Sequence, residues 1–160
     1  MLKKLINAIL RPFGLVNKED PNDRYRKFGA KIGRNVRIYG TIDKVNPHLI
    51  EIGDSSVIGA ASALLTHCPI HGPRPVKVGS EVWIGYNVLV LPGVTIGDQC
   101  IIGAGAIMTK SVPPRSIVVG NPARVLRSLT DEEAESLAHR LRNRIPIGAD
   151  ENAPFERKPV

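Results

Sequence analysis

Two of the four histidines in this chain fall within one short stretch, the segment THCPIHGPRP at 66–75, as His67 and His71. Imidazole changes charge nearer neutral pH than any other unperturbed side chain, so either ring could take a proton from a weakly acidic group and later return it. Cys68 adds a thiol beside a candidate base and opens a second route, with sulfur as nucleophile. Adjacent residues in an extended segment point to opposite sides, which argues against that pairing. A metal centre would need further ligands. His48 precedes a separate run and His139 lies in a helical pattern, so no metal is expected.

The elements that must position these side chains are announced by a six-residue beat. From Val78 to Val112 the chain reads VGSEVW, IGYNVL, VLPGVT, IGDQCI, IGAGAI, MTKSVP. Val78, Ile84, Val90, Ile96, Ile102 and Met108 open the blocks, and the fifth place (Val82, Val88, Val94, Cys100, Ala106, Val112) is small or β-branched. A helix repeats near 3.6 and a half-buried strand at 2, so a period of six calls for a larger unit, the hexapeptide β-helix. Three short strands make one triangular coil. The leading aliphatic residue points into the prism, and Gly79, Gly85, Gly97 and Gly103 are expected near corners, where backbone freedom matters.

The beat extends upstream with two interruptions. Hexads open at Ile32 and Ile38, slip through KVNPH, resume at Ile52, Ile58 and Leu64, and slip again through 66–75 before Val78. Insertions in a solenoid bulge outward at corners, so 66–75 is predicted to project as a loop carrying both histidines. The fold expected is an all-β solenoid of about four coils, roughly 20 Å tall at the usual strand spacing, with short helices at both ends. Leu2, Leu5, Ile6, Ile9 and Leu10 recur at helical spacing before Pro12, so 1–30 reads as an amphipathic helix and connector. The β-helix domain covers 31–127. A C-terminal helix occupies 128–145, with Thr130 and Glu133 at capping-box spacing and an apolar stripe of Ala134, Leu137, Ala138 and Leu141. Residues 146–160 read as a flexible tail.

Composition fits a single soluble domain of 160 residues, and only 4% aromatic residues suits a narrow prism filled by Ile, Val and Ala. The formal charge of +7 would suit nucleic acid, but no basic–aromatic interleaving and no nucleic-acid-binding signature accompanies it. A phosphate-rich small molecule is the better match. Two cysteines without a disulfide framework point to a reducing compartment or to simple indifference, with Cys100 a small core residue, and a cytoplasmic location is expected. No stretch approaches a membrane span or a secretory leader. Lys3 and Lys4 would also suit a membrane surface, although a capping helix is the preferred reading.

The stretch VGSEVWIGYNVLVLPGVTIGDQCIIGAGAIMTKSVPPRSIVVGNPARVLR resembles the C-terminal signature of hexapeptide-repeat acyltransferases, above all the galactoside and maltose O-acetyltransferase group. The upstream IEIGDSSVIGAASALLTHCP is similar to the version in capsule and lipopolysaccharide O-acetyltransferases. Together the likeness covers roughly 30 to 127. It implies a left-handed coil, an exception to the right-handed rule for parallel crossovers, and a homotrimer with acetyl-coenzyme A lying in the clefts between prisms. It also implies a histidine base in a Thr-His setting, which makes His67 the first choice and His71 the second. For the coenzyme, the resemblance carries over Trp83, Gly85, Tyr86 and Ala104 toward the pantetheine arm. Thr109, Lys110, Arg124 and Arg127 would meet the adenine and phosphate end. Tyr86 stands where a small residue is common and would narrow the groove. The implied activity is acetyl-CoA-dependent O-acetylation of a sugar or surface-polysaccharide precursor by direct transfer, with no metal. N-acetylation of a nucleotide-linked amino sugar and a non-catalytic β-helix scaffold are the alternatives.

Overall fold

One inward aliphatic residue per short strand, met three times per turn, winds the chain into a three-faced prism. The computed structural model describes residues 20–145. The amphipathic helix expected before Pro12 and the tail expected after 145 lie outside the described residues.

The first coil is β1 (Lys31–Ile32), β2 (Arg37–Ile38) and β3 (Thr41–Ile42), and the second is β4 (Ile50–Ile52), β5 (Val57–Ile58) and β6 (Ala63–Leu64). Then come β7 (Val76–Val78), β8 (Trp83–Ile84) and β9 (Leu89–Val90), followed by β10 (Thr95–Ile96), β11 (Ile101–Ile102) and β12 (Ile107–Met108). Stacking gives three parallel sheets: β1-β4-β7-β10 on face one, β2-β5-β8-β11 on face two and β3-β6-β9-β12 on face three. Face two continues into β13 (Ser116–Val119), on which β14 (Arg124–Ser128) lies antiparallel. The registers align Ile32, Ile52, Val78 and Ile96 in one column, Ile38, Ile58, Ile84, Ile102 and Val118 in the second, and Ile42, Leu64, Val90 and Met108 in the third. Nearly all are buried, and they form the principal core.

Three details differ from the expectation. Val112, read as a fifth-place residue, bridges Ile96 and so takes a leading place four residues after Met108. Ile42, likewise, closes face three only four residues after Ile38. Corner conformation, thirdly, is carried chiefly by other residues than the glycines named from the sequence. Asn35, Ser55, Glu81, Gln99 and Arg115 form one column with positive φ, and Ala61, Asn87 and Gly105 a second. Gly79 and Gly85 serve close approach instead. A Cβ on Gly79 would sit 2.3 Å from the Asp98 Oδ1, and one on Gly85 2.9 Å from the Ala104 backbone nitrogen. Ser62, in a fifth place, ties a corner together: its Oγ donates to the Gly85 carbonyl (2.9 Å) and accepts from the Val88 N–H (2.9 Å).

At the base, α1 (Asp23–Arg26) is clamped to the first coil. Arg26 donates to the carbonyls of Ile32 (2.9 Å) and Gly33 (2.8 Å), and the buried Asn22 amide donates to the Val36 carbonyl (2.8 Å). At the other end α2 (Asp131–Asn143) starts with the expected capping box, Thr130 and Glu133 satisfying one another's backbone N–H groups. Its stripe of Ala134, Leu137 and Leu141 covers the outward side of face two, packing with Val57, Trp83, Ile101 and Ile117. Among the described residues no helix is long and apolar enough to cross a membrane.

Candidate active site

Both interruptions of the beat leave the prism at the same corner. After Ile42 the chain bulges through 43–49, ending in a 3-10 turn at Pro47–Leu49, before face one resumes at Ile50. One coil up, after Leu64, it bulges through 66–75 before Val76. Because β3 and β6 are paired neighbours, the first residues of the two bulges stack, and they meet in one hydrogen-bonded cluster. Asp43 Oδ2 accepts from the Thr66 N–H (2.9 Å) and the Thr66 hydroxyl (2.6 Å), and lies 2.7 Å from His67 Nδ1. Oδ1 accepts from the Val45 N–H at 2.8 Å.

The electrostatics of this cluster are one-sided. Burial alone would push the Asp43 carboxyl up, since its side chain is 2% exposed. The hydrogen bonds from Thr66, His67 and Val45 outweigh that and hold it well below the usual carboxylate range. Asp43 is therefore an anion aimed at Nδ1. An acceptor there keeps the neutral ring protonated on Nδ1, which leaves Nε2 with its lone pair. The His67 side chain is 54% exposed, so the ring is tethered at one nitrogen and open on the other side. His71 is exposed in the same loop, with no side-chain hydrogen bond to a described residue. The Cys68 thiol is drawn down by the backbone N–H groups of His71 and Ile70, so its contacts are with the loop backbone. Asp43 was absent from the sequence-based reading. The available signal was that an acid opens the first break and a Thr-His pair opens the second.

The other residues selected from the sequence fall into three places. Thr109 and Lys110 are exposed just after β12, on the same edge of face three as His67. Gly85, Tyr86 and Ala104 stand at the opposite edge, before β9 and β12, where the Gly105 N–H donates to the Tyr86 carbonyl (2.9 Å). Tyr86 is exposed beside otherwise small corner residues, Ala60 and Ala104. Trp83, Arg124 and Arg127 lie on face two. Trp83, expected near a coenzyme, is half-buried in the cluster beneath α2, because the helix stripe needs an apolar floor and the outward column of face two supplies it. Arg127, expected at the phosphates, is bound bidentately to Glu133 (2.7 and 2.7 Å) and braces the capping box. Arg124 is exposed, donating to the neighbouring Ala123 carbonyl. Among the described residues no group of three or more His, Cys, Asp or Glu could hold a metal.

The three-faced stack, with its hexad columns, is the left-handed parallel β-helix of the hexapeptide-repeat proteins, and residues 75–110 match the bacterial transferase hexapeptide family (six repeats). The chain is similar to galactoside and maltose O-acetyltransferases. It is 36% identical over 121 residues to the galactoside O-acetyltransferase of Escherichia coli K12, an alignment that takes in 68% of this chain and 60% of that relative. The chain thus spans about 60% of the length of that curated relative. A maltose O-acetyltransferase structure from Clostridium difficile 630 superposes with a TM-score of 0.58 at 25% identity, covering 80% of this chain and 86% of that one. A galactoside acetyltransferase structure in complex with coenzyme A gives 0.56 at 26% identity, covering 79% and 80%.

Proposed function

We propose that the chain is an acetyltransferase that moves an acetyl group from acetyl-coenzyme A to a hydroxyl of a sugar or surface-glycan precursor, with His67 as general base. The observation that carries this reading is the 2.7 Å contact of Asp43 Oδ2 with His67 Nδ1 on a projecting corner. Nε2 of His67 takes the acceptor proton as the acceptor oxygen forms its bond to the acetyl carbon. The C–S bond then breaks, and the proton passes from Nε2 to the leaving thiolate. Asp43 steadies the imidazolium that exists between the two transfers.

The coenzyme is a substrate here, and the residues present suit it. The Gly85 and Ala104 corner offers accessible backbone with little side chain, while Thr109 and Lys110 supply a hydroxyl and a cation. A relative of the same fold binds coenzyme A. The two sets of groups lie on opposite edges of face three, so a complete site needs one edge of a copy against the other edge of its neighbour. That requirement supports a homotrimer. So do Val45 and Ile70, 71% and 82% exposed on the two bulges that flank the dyad.

The test is direct. His67→Ala should lower turnover by roughly 10²-fold or more, with the calorimetric affinity for acetyl-coenzyme A unchanged and His71→Ala near wild type. Loss of activity in His71→Ala alone would move the base to His71. Absence of saturable acetyl-coenzyme A binding would overturn the enzyme reading in favour of a scaffold.

A further inference from the structure

A groove of about 560 Å³ lies at the base of the prism, walled by α1 and by the first bulge, with Tyr25, Phe28, Thr41, Asp43, Lys44 and Pro47 in its lining. It adjoins the candidate active site through Asp43, the residue that holds His67. Its composition is unusual for this molecule. Phe28 is 73% exposed, although aromatic residues make up only 4% of the chain. Beside it, Arg24 also lines the groove, its guanidinium 4.5 Å from the Tyr25 ring centroid and donating to the Tyr25 hydroxyl at 2.8 Å. Neither Arg24 nor Lys44 is paired with a carboxylate among the described residues. The one acid in the lining, Asp43, has both oxygens engaged by Thr66, His67 and Val45.

The groove is preformed. Arg26 and Asn22 tie α1 to the first coil, so the turn at 25–28 is held rather than draped, and a ligand would not have to order it. A flat apolar ring face beside a few converging polar groups is the usual make-up of a small-ligand site. The ring offers its face to the apolar side of a pyranose. A guanidinium fork and an ammonium, both without an acidic partner, call for an anion, and the planar fork matches a carboxylate.

We infer that this groove binds the acyl acceptor and that the acceptor is a sugar carrying a carboxylate, as in a uronate-containing glycan, stacked on Phe28 with its charge between Arg24 and Lys44. The inference rests on the acetyltransferase reading, and its test separates the two. Calorimetry with the full chain at low ionic strength would compare tetragalacturonate with its methyl ester, which keeps the ring and loses the charge. The acid should bind saturably and the ester at least tenfold more weakly. Phe28→Ala should weaken both ligands, and Lys44→Glu should erase the preference for the acid, each variant retaining wild-type affinity for acetyl-coenzyme A as the check on folding. Equal binding of acid and ester, no binding of either, or indifference to Phe28→Ala would overturn the inference. Binding that emerges only after removal of residues 1–19 would make that segment the natural occupant and would overturn it too. If acetyl-coenzyme A binds and tetragalacturonate does not, only the groove is misassigned. If tetragalacturonate binds with the expected preference and acetyl-coenzyme A does not, the acetyltransferase reading fails.

Discussion

Asp43 does more at its corner than any other side chain. It closes the first bulge through Val45, fixes the start of the second through Thr66 and orients His67. If it acts through the imidazole, Asp43→Asn should lower kcat roughly 10- to 1,000-fold while the affinity for acetyl-coenzyme A holds. The double variant with His67→Ala should be no slower than His67→Ala alone, because residues that act as a unit are not additive. A fully multiplicative loss in steady-state kinetics would show the two to be independent. The histidine was legible in the sequence because it sits in a break of a strong periodicity. Its partner was not, because the two lie 24 positions apart and only the stacking of successive coils brings them together.

The hexad columns were readable at the scale of elements because each inward position is set by burial alone. Which outward column a helix would cover was not, since that depends on where α2 docks, and the packing of Trp83 beneath the helix could not be read from the sequence for this reason. Because Trp83 is the only tryptophan in the chain, it reports the docking of α2. Leu137→Ala should cost about 2–4 kcal/mol of helix docking and shift the Trp83 emission to the red. An unshifted spectrum together with an unchanged melting temperature would refute this packing role. Acid should act at the other end of the same contact. Glu133 is held down to about 2, first by the Arg127 guanidinium and then by the Thr130 N–H. Its folded value lies below its unfolded one, so its support for the helix start is complete above the ordinary glutamate range and fades as pH falls toward 2.

At the scale of the whole molecule, the candidate groups divide between two edges of one face, and no single prism unites them. In solution the protein should therefore run at three times the chain mass of 17.4 kDa in light scattering or sedimentation. Ile70→Asp should shift it toward monomer and lower turnover together with assembly. A monomeric wild type with undiminished activity would be incompatible with a shared site. The trimer rested on resemblance at the sequence level, since periodicity specifies a rod and is silent on how rods associate.

A stack of parallel strands has no intrinsic reason to stop, because each coil exposes the template for the next. Here β14 returns antiparallel across β13, reversing strand direction on face two, and carries an arginine at Arg124 and another at Arg127. On that face an incoming coil would meet the wrong strand polarity and the exposed Arg124. On this face the hairpin thus opposes end-to-end growth of a fold whose architecture is otherwise open to polymerisation.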